Sequence, residues 1–153
     1  MLNIVTGTGP RVGSSFVMRQ AKVAGLRVHG DKYLHGALPV AGNPGGYYDL
    51  YADEIYRLDY GVAKVWPVSL PMIRQPIHRL IILDRKDKEA QKASILKQAK
   101  REKRDADPQA VLDFCEERLN DFLACERAPT NIMRVHTENL NEEISKILNY
   151  LGA

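Results

Sequence analysis

Cysteine is scarce in this 153-residue sequence, and the scarcity limits the kinds of protein that it encodes. The two cysteines, Cys115 and Cys125, are too few and too close together for a disulfide framework or a zinc ribbon. We therefore expect two ordinary buried thiols in a protein of the reducing cytoplasm, and not a secreted scaffold.

Long apolar segments and a large net charge are also missing. No run approaches the roughly 18 apolar residues that a membrane-spanning helix needs, and residues 1–3 do not begin a signal peptide. The net charge of +3 is too small to predict a polyanionic partner by itself. A hydrophobic content of 44% is typical of a globular protein, so we expect one cytoplasmic domain over residues 1–153 without membrane contact.

Short apolar runs alternate with helical patterns along the chain. Strands are predicted at residues 2–5, 26–29, 62–66, 80–83 and 133–136. Helices are predicted at residues 14–25, 48–58, 86–104, 108–124 and 141–151. This alternation is typical of an α/β domain. We expect three layers, with a mostly parallel sheet of four or five strands and helices on both faces.

The helix predicted at 86–104 is strongly basic, and the helix that follows it is acidic. Nine basic side chains against three acidic ones lie within residues 85–104. We interpret the two as solvated helices paired by salt bridges. A nucleic-acid surface is the weaker interpretation, because no aromatic side chains are interleaved with the basic ones. Asp107 and Pro108 are typical of the start of the acidic helix.

The most informative stretch follows the first predicted strand, where a glycine-rich loop leads into a helix. Glycines let backbone N–H groups converge on an anion, and the helix N-terminus adds partial positive charge. Arg11 adds a full charge, and two serines add hydroxyl donors. The alternative is a glycine-rich turn without a ligand. We predict a phosphate-binding loop (P-loop) made of Gly9, Pro10, Arg11, Val12, Gly13, Ser14 and Ser15.

This loop departs from that of nucleoside triphosphatases, which place a lysine after the last glycine to hold the β- and γ-phosphates. Ser14 occupies that position here, and the positive charge lies before Gly13, at Arg11. The change favours a phosphate-bearing ligand other than ATP–Mg²⁺. A P-loop kinase or hydrolase stays an alternative, since Asp84 ends an apolar strand as a magnesium-site aspartate does.

The loop resembles that of a known family, the sulfotransferases, which have the pattern P-[KR]-x-G-[ST]-[ST]-aromatic. Those enzymes use it to hold the 5′-phosphosulfate of 3′-phosphoadenosine-5′-phosphosulfate (PAPS). Residues 80–94 are similar to the family's element that binds the 3′-phosphate, and residues 134–152 to its terminal strand, turn and helix. Residues 43–48 resemble a stretch of some bacterial and viral members. The matching loop residues are Pro10, Arg11, Val12, Gly13, Ser14, Ser15 and Phe16.

The resemblance implies a small P-loop sulfotransferase that transfers a sulfuryl group from PAPS to an acceptor hydroxyl or amine, without a metal. It implies that Ser94, with Arg85 or Lys86, contacts the 3′-phosphate, and the family's usual spacing selects Lys86. It also implies that Arg11 serves the leaving phosphate and that Lys64 faces the sulfuryl group. A Lys64 side chain that merely extends to the edge of its strand is the competing interpretation.

The family's catalytic base lies after the first helix, where the sequence offers several candidates. Asp31 falls closest to the place of a glutamate in bacterial members, and His35 and Asp49 are the alternatives. His29 fits a packed or surface residue better than a catalyst.

The chain is short for this family. Either the acceptor is small, or a partner such as a second copy completes the pocket, or a non-catalytic nucleotide-binding protein keeps the scaffold.

Overall fold

A four-stranded, all-parallel β-sheet forms the centre of the domain. The computed structural model describes residues 1–30 and 48–153. The sheet has the order β2-β1-β3-β4, and each neighbouring pair is parallel. Parallel strands end at one edge of the sheet, so the segments that follow them meet there. The strands are β1 (Leu2–Gly7), β2 (Gly61–Lys64), β3 (Ile77–Asp84) and β4 (Ile132–His136).

Helices cover both faces of this sheet. One buried apolar cluster joins β1 and β3 to α1 and α5, and a second joins the opposite face to α2, α4 and a 3₁₀ segment, Pro67–Met72. The predicted three-layer α/β class is therefore confirmed, and the sheet of the described residues has four strands where four or five were predicted. The helices are α1 (Ser14–Val23), α2 (Ala52–Tyr56), α3 (Lys88–Arg101), α4 (Pro108–Leu123) and α5 (Leu140–Leu151).

The two central strands explain why the sequence shows unbroken apolar runs. Every residue of β1 is buried, and the side chains of residues 80–83 in β3 are 0% exposed. Along β3, Ile81 and Leu83 face α1 and α5, whereas Leu80 and Ile82 face α4. A strand covered on both faces has no polar side to alternate with, as the run at 80–83 predicted.

Two predicted elements are shorter than expected. Residues 26–29 contribute a single bridge, from Val28 to Val62, because glycines with positive φ (88° and 72°) lie on both sides of them. The helix predicted at 48–58 is reduced to α2. Tyr48 has a φ of 75°, and Tyr51 is extended as the N-cap, so helical geometry begins only after them.

The acidic and basic helices form as predicted, but their ion pairs differ from the expectation. Asp107 caps α4 by accepting a hydrogen bond from the Ala110 N–H at 3.1 Å. The pairs Lys92–Glu89 and Arg118–Asp121 each lie within one helix, and none in the described ranges joins α3 to α4.

Cysteine exposure also differs from the prediction. Cys115 is partly buried, which raises the pKa of its thiol, and Cys125 is exposed.

Within residues 1–30 and 48–153, no helix combines the length and the apolar content that crossing a membrane requires.

Candidate functional site

The glycine-rich loop is a turn between β1 and α1 at the carboxyl edge of the sheet. Its backbone is left-handed at Arg11 (φ 65°) and at Gly13 (φ 89°), which is the N-cap of α1. A Cβ on Gly13 would lie 2.5 Å from the Leu140 Cδ1 atom, so this position needs glycine for both conformation and space. The loop is therefore not an N-terminal extension of α1, and the first backbone N–H groups of α1 have no acceptor within the helix.

Hydrogen bonds from neighbouring elements hold the carbonyl groups of the loop. Gln91 Nε2 donates to the Pro10 carbonyl at 2.8 Å, and Thr137 Oγ1 donates to the Val12 carbonyl at 2.7 Å. In a trans peptide the next N–H points opposite to the carbonyl. The amides that follow these carbonyls, including that of Gly13, therefore point away from α3 and from Thr137. This arrangement fixes their direction before any ligand arrives.

A cavity of about 480 Å³ lies beside the loop. This volume is within the range of small-molecule sites. Loop residues 10–15 line the cavity, together with the ends of β2 and β3 and with residues of α1, α2, α3, the segment 49–50 and the 3₁₀ segment Pro67–Met72. The remaining lining side chains belong to Arg19, Asp49, Leu50, Ile55, Lys64, Val65, Trp66, Ser69, Arg85, Ser94 and Gln98.

Positive charge dominates this cavity. Among its described lining residues, four are cationic and one, Asp49, is a carboxylate. Burial lowers the pKa of the Arg11 guanidinium, and the nearby positive charges of Arg101 and Arg85 lower it further. Cations held this close repel one another, so an anion in the cavity would relieve the repulsion. The cationic lining residues are Arg11, Arg19, Lys64 and Arg85.

The two elements predicted to hold phosphate are in contact with each other at the cavity. Arg11 Nε donates a hydrogen bond to Ser94 Oγ at 2.9 Å, and Arg85 Nη1 contacts the Arg11 carbonyl at 3.4 Å. Of the two candidates for the 3′-phosphate, Arg85 lines the cavity and Lys86 is exposed outside it. The position that the family's spacing selected is therefore not the one that reaches the cavity.

The backbone at Lys86 is held by Glu138, which lies in the segment after β4. The Glu138 carboxylate accepts hydrogen bonds from the Lys86 and Asp87 N–H groups at 2.9 and 3.1 Å. These bonds lower the pKa of Glu138 to about 2. They connect the segment after β4 to the start of α3, and so support the wall that carries Ser94.

Lys64 lies in the cavity wall with its side chain only 4% exposed. Its Nζ atom is 2.6 Å from Asp49 Oδ1 and donates to Ser15 Oγ at 3.3 Å. It also lies 5.4 Å from the centre of the Trp66 ring. Lys64 thus belongs to the cavity and does not extend to solvent at the strand edge.

Four further residues weighed from the sequence are either outside the described part of the chain or away from the cavity lining. Asp31 and His35 are outside the described residues, so their position relative to the cavity stays a prediction. Gly9 is buried behind the loop, where a Cβ would lie 2.5 Å from Leu112 Cδ2, and it does not line the cavity. His29 lies at the surface, where its Nε2 atom forms a 2.6 Å hydrogen bond with the Tyr60 carbonyl oxygen. This ring nitrogen is therefore already engaged.

Sequence reasoning missed some cavity residues, although helical spacing could have found two of them. Arg19 lies four residues after Ser15 on α1, and Gln98 lies four residues after Ser94 on α3. Side chains four apart share a helix face. Trp66 gave no such signal, because its strand ends two residues before it.

Asp84 does not belong to this cavity. Its carboxylate accepts hydrogen bonds from Thr8 Oγ1 and Lys88 Nζ, both at 2.5 Å. Partial burial acts to raise the pKa of Asp84, but the bonds from Lys88 and Thr8 outweigh burial and lower it. The residue lines a separate cavity of about 230 Å³ between α3 and α4.

Comparisons of the chain with protein-family models, with curated proteins and with solved structures found no match. The resemblance to sulfotransferases therefore rests on the sequence motifs themselves.

Proposed function

We propose that this chain binds PAPS in the cavity beside residues 10–15 and transfers its sulfuryl group to an acceptor hydroxyl or amine. The observation that carries the proposal is the hydrogen bond between Arg11 and Ser94. It brings together, in the lining of one cavity, the two motifs that the resemblance assigns to the 5′-phosphosulfate and the 3′-phosphate. Fixed amides and clustered guanidinium groups suit a ligand with two anionic ends.

The roles follow from the positions of the side chains. Arg11, Ser14 and Ser15 hold the leaving 5′-phosphate, and Lys64 faces the sulfuryl group from the wall of β2. Arg85 and Ser94 hold the 3′-phosphate. Charge that develops on the leaving phosphate oxygen is then stabilised by donors already in place.

The transfer step needs an acceptor for one proton. The acceptor oxygen or nitrogen attacks sulfur, the bond between sulfur and the bridging phosphate oxygen breaks, and adenosine 3′,5′-bisphosphate (3′,5′-ADP) leaves. The proton of the acceptor passes to a carboxylate or imidazole. Asp49 lines the cavity and is our candidate among the described residues, and Asp31 and His35 stay candidates from the segment 31–47.

A P-loop kinase or hydrolase is the less favoured function. The aspartate that would hold magnesium, Asp84, is paired with Lys88 and lines a different cavity from Ser14. A non-catalytic nucleotide-binding protein would use the same cavity and differ only in lacking turnover. We also propose a cytoplasmic setting, which the two free thiols support.

Calorimetric titration separates these functions. We expect 3′,5′-ADP to bind without magnesium, and Arg11→Ala to abolish the binding. Lys86→Ala is the matched control, because it removes one exposed cation outside the cavity and should change the affinity less than threefold. ATP binding that requires magnesium would instead support the kinase. No binding of either nucleotide would overturn the proposal.

A further inference from the structure

Arg19 is a cationic residue of the main cavity to which the proposed function gives no role. We infer that Arg19 holds a carboxylate of the acceptor, and that the acceptor is a small aromatic hydroxy acid. This inference rests on the proposed function, and it specifies the chemical class of the molecule that receives the sulfuryl group.

The Arg19 side chain differs from the other cationic side chains of the cavity in its contacts. The Arg11 guanidinium donates a hydrogen bond to Ser94. The Lys64 ammonium is paired with Asp49. The exposed Arg19 side chain makes no ion pair or hydrogen bond within residues 1–30 and 48–153. A ligand carboxylate can therefore form two parallel hydrogen bonds with this guanidinium without breaking an ion pair of the protein.

The position of Arg19 on α1 places it on the β2 side of the cavity. Lys64 Nζ, at the end of β2, donates to Ser15 Oγ at 3.3 Å, so the face of α1 that carries Ser15 is turned towards β2. Arg19 lies four residues later on that face, about 6 Å further along the helix axis. In the sheet, β2 and β3 lie on opposite sides of β1. Arg19 is therefore displaced from the loop and from the β3 side, which hold the two phosphates in the proposed function.

The acceptor also belongs on the β2 side. Its oxygen has to approach sulfur from the side opposite the leaving phosphate oxygen, with the reacting atoms aligned. Lys64 faces the sulfuryl group in the proposed function, so the acceptor lies beyond the phosphates, next to β2. The indole ring of Trp66 provides a flat surface there for an aromatic ring. The other apolar side chains that line this part of the cavity belong to Leu50, Ile55 and Val65.

An anionic acceptor beside the donor needs a cation of its own. PAPS brings two phosphate groups and a sulfuryl group, and their negative charge repels a nearby carboxylate. The proposed function assigns Arg11, Lys64 and Arg85 to the donor. Among the cationic lining residues that the structure describes, Arg19 is then the one left for the acceptor. A cavity of about 480 Å³ that also holds the donor favours a small acid.

Calorimetry on the full chain saturated with 3′,5′-ADP tests the assignment with two matched probes. Para-hydroxyphenylacetate carries a carboxylate, and para-hydroxyphenylacetamide has nearly the same shape without the charge. We expect the unmodified chain to bind the acid about fivefold more tightly than the amide, as for an ion pair that is open to water. Arg19→Gln should remove this preference, and Arg19→Lys should keep part of it.

Arg57→Gln is the matched control, because Arg57 is an exposed arginine at the C-cap of α2 that does not line the cavity. It makes the same change in net charge as Arg19→Gln and should leave the preference for the acid within twofold. The affinity for 3′,5′-ADP should change less than threefold in either variant. A thermal unfolding curve for each variant checks that it folds.

Equal binding of the acid and the amide by the unmodified chain would overturn the assignment, and so would no binding of either probe. A loss of 3′,5′-ADP affinity in Arg19→Gln that exceeds the loss for the acid would place Arg19 in the donor site instead. Each of these results leaves the proposed function standing, because the unmodified chain still binds 3′,5′-ADP. If it does not bind 3′,5′-ADP, the proposed function fails and the assignment of Arg19 fails with it.

Discussion

Arg11 on the loop after β1 and Ser94 on α3 are 83 residues apart in sequence, yet the Arg11 Nε atom donates a 2.9 Å hydrogen bond to the Ser94 Oγ atom. The bond joins, at the lining of one cavity, the two elements that we assign to the two ends of the ligand. It gives one N–H of the Arg11 guanidinium an acceptor, while burial and neighbouring cations disfavour the charged form of that guanidinium. We propose that an anion bound in this cavity would offset the clustered positive charge.

Removing the Ser94 hydroxyl should weaken recognition of the 3′-phosphate in particular. We expect Ser94→Ala to lower the affinity for 3′,5′-ADP about tenfold, because a hydrogen bond to a charged group is lost. The affinity for adenosine 5′-monophosphate, which has no 3′-phosphate, should change less than twofold. Calorimetry measures both. Ser69→Ala is the control, since Ser69 lines the same cavity from the 3₁₀ segment Pro67–Met72 and not from α3, and an equal loss in both variants would contradict the assignment.

The loop should tolerate no side chain at Gly13. Gly13 and Gly25 have nearly the same φ, 89° and 88°, but an added Cβ meets the buried Leu140 at Gly13 and nothing within 4 Å at Gly25. Gly25→Ala therefore isolates the backbone strain, about 1 kcal/mol. Gly13→Ala should lose roughly 1–3 kcal/mol more through the steric clash. Urea unfolding measures the free energy of each, and equal losses would show that Leu140 moves aside freely.

Glu138 should make the stability of the fold depend on acid. Its pKa lies at about 2, against an ordinary value of 4.5, because the Lys86 and Asp87 N–H groups bind its carboxylate. A depressed pKa contributes stability above the unfolded value that is lost as the pH falls towards the folded one. The stabilisation should be complete above about pH 4.5 and should decline between there and about pH 2.

Unfolding free energies of the unmodified chain and Glu138→Gln, measured across this pH range, test the dependence. The difference between them should narrow as the pH falls. Glu142→Gln is the control, because Glu142 is an exposed carboxylate on α5. If the difference in unfolding free energy between the unmodified chain and Glu138→Gln stays constant with pH, the hydrogen bonds to the Glu138 carboxylate do not form.

Asp84 should have no part in ligand binding. We expect Asp84→Asn to leave the affinity for 3′,5′-ADP within twofold, because its carboxylate bonds to Thr8 and Lys88 outside the main cavity. Titrations with and without magnesium should give the same affinity. A large loss that depends on magnesium would favour the kinase.

Much of the fold could be predicted from the periodicity of apolar residues and from the positions of glycines. The apolar run at 80–83 predicted a strand buried on both faces, and β3 is such a strand. The segment 26–29 was wrongly predicted as a strand. Its composition suits one, but the left-handed glycines at 25 and 30 limit pairing to one bridge.

The choice between Arg85 and Lys86 depended on the direction of two side chains, which composition does not give. The strand β3 ends at Asp84, so neither residue continues the alternation of the strand. Arg85 lines the cavity beside the loop, and Lys86 is exposed outside it. The spacing within the motif selected Lys86 because it counts residues and takes no account of where their side chains point.

A structure of the chain bound to 3′,5′-ADP tests the anion site most directly. We expect the 5′-phosphate within hydrogen-bonding distance of the amides and hydroxyls of Gly13, Ser14 and Ser15, with the 3′-phosphate between Arg85 and Ser94. A nucleotide bound in the smaller cavity beside Asp84, or a main cavity that stays empty at saturating 3′,5′-ADP, would contradict the site.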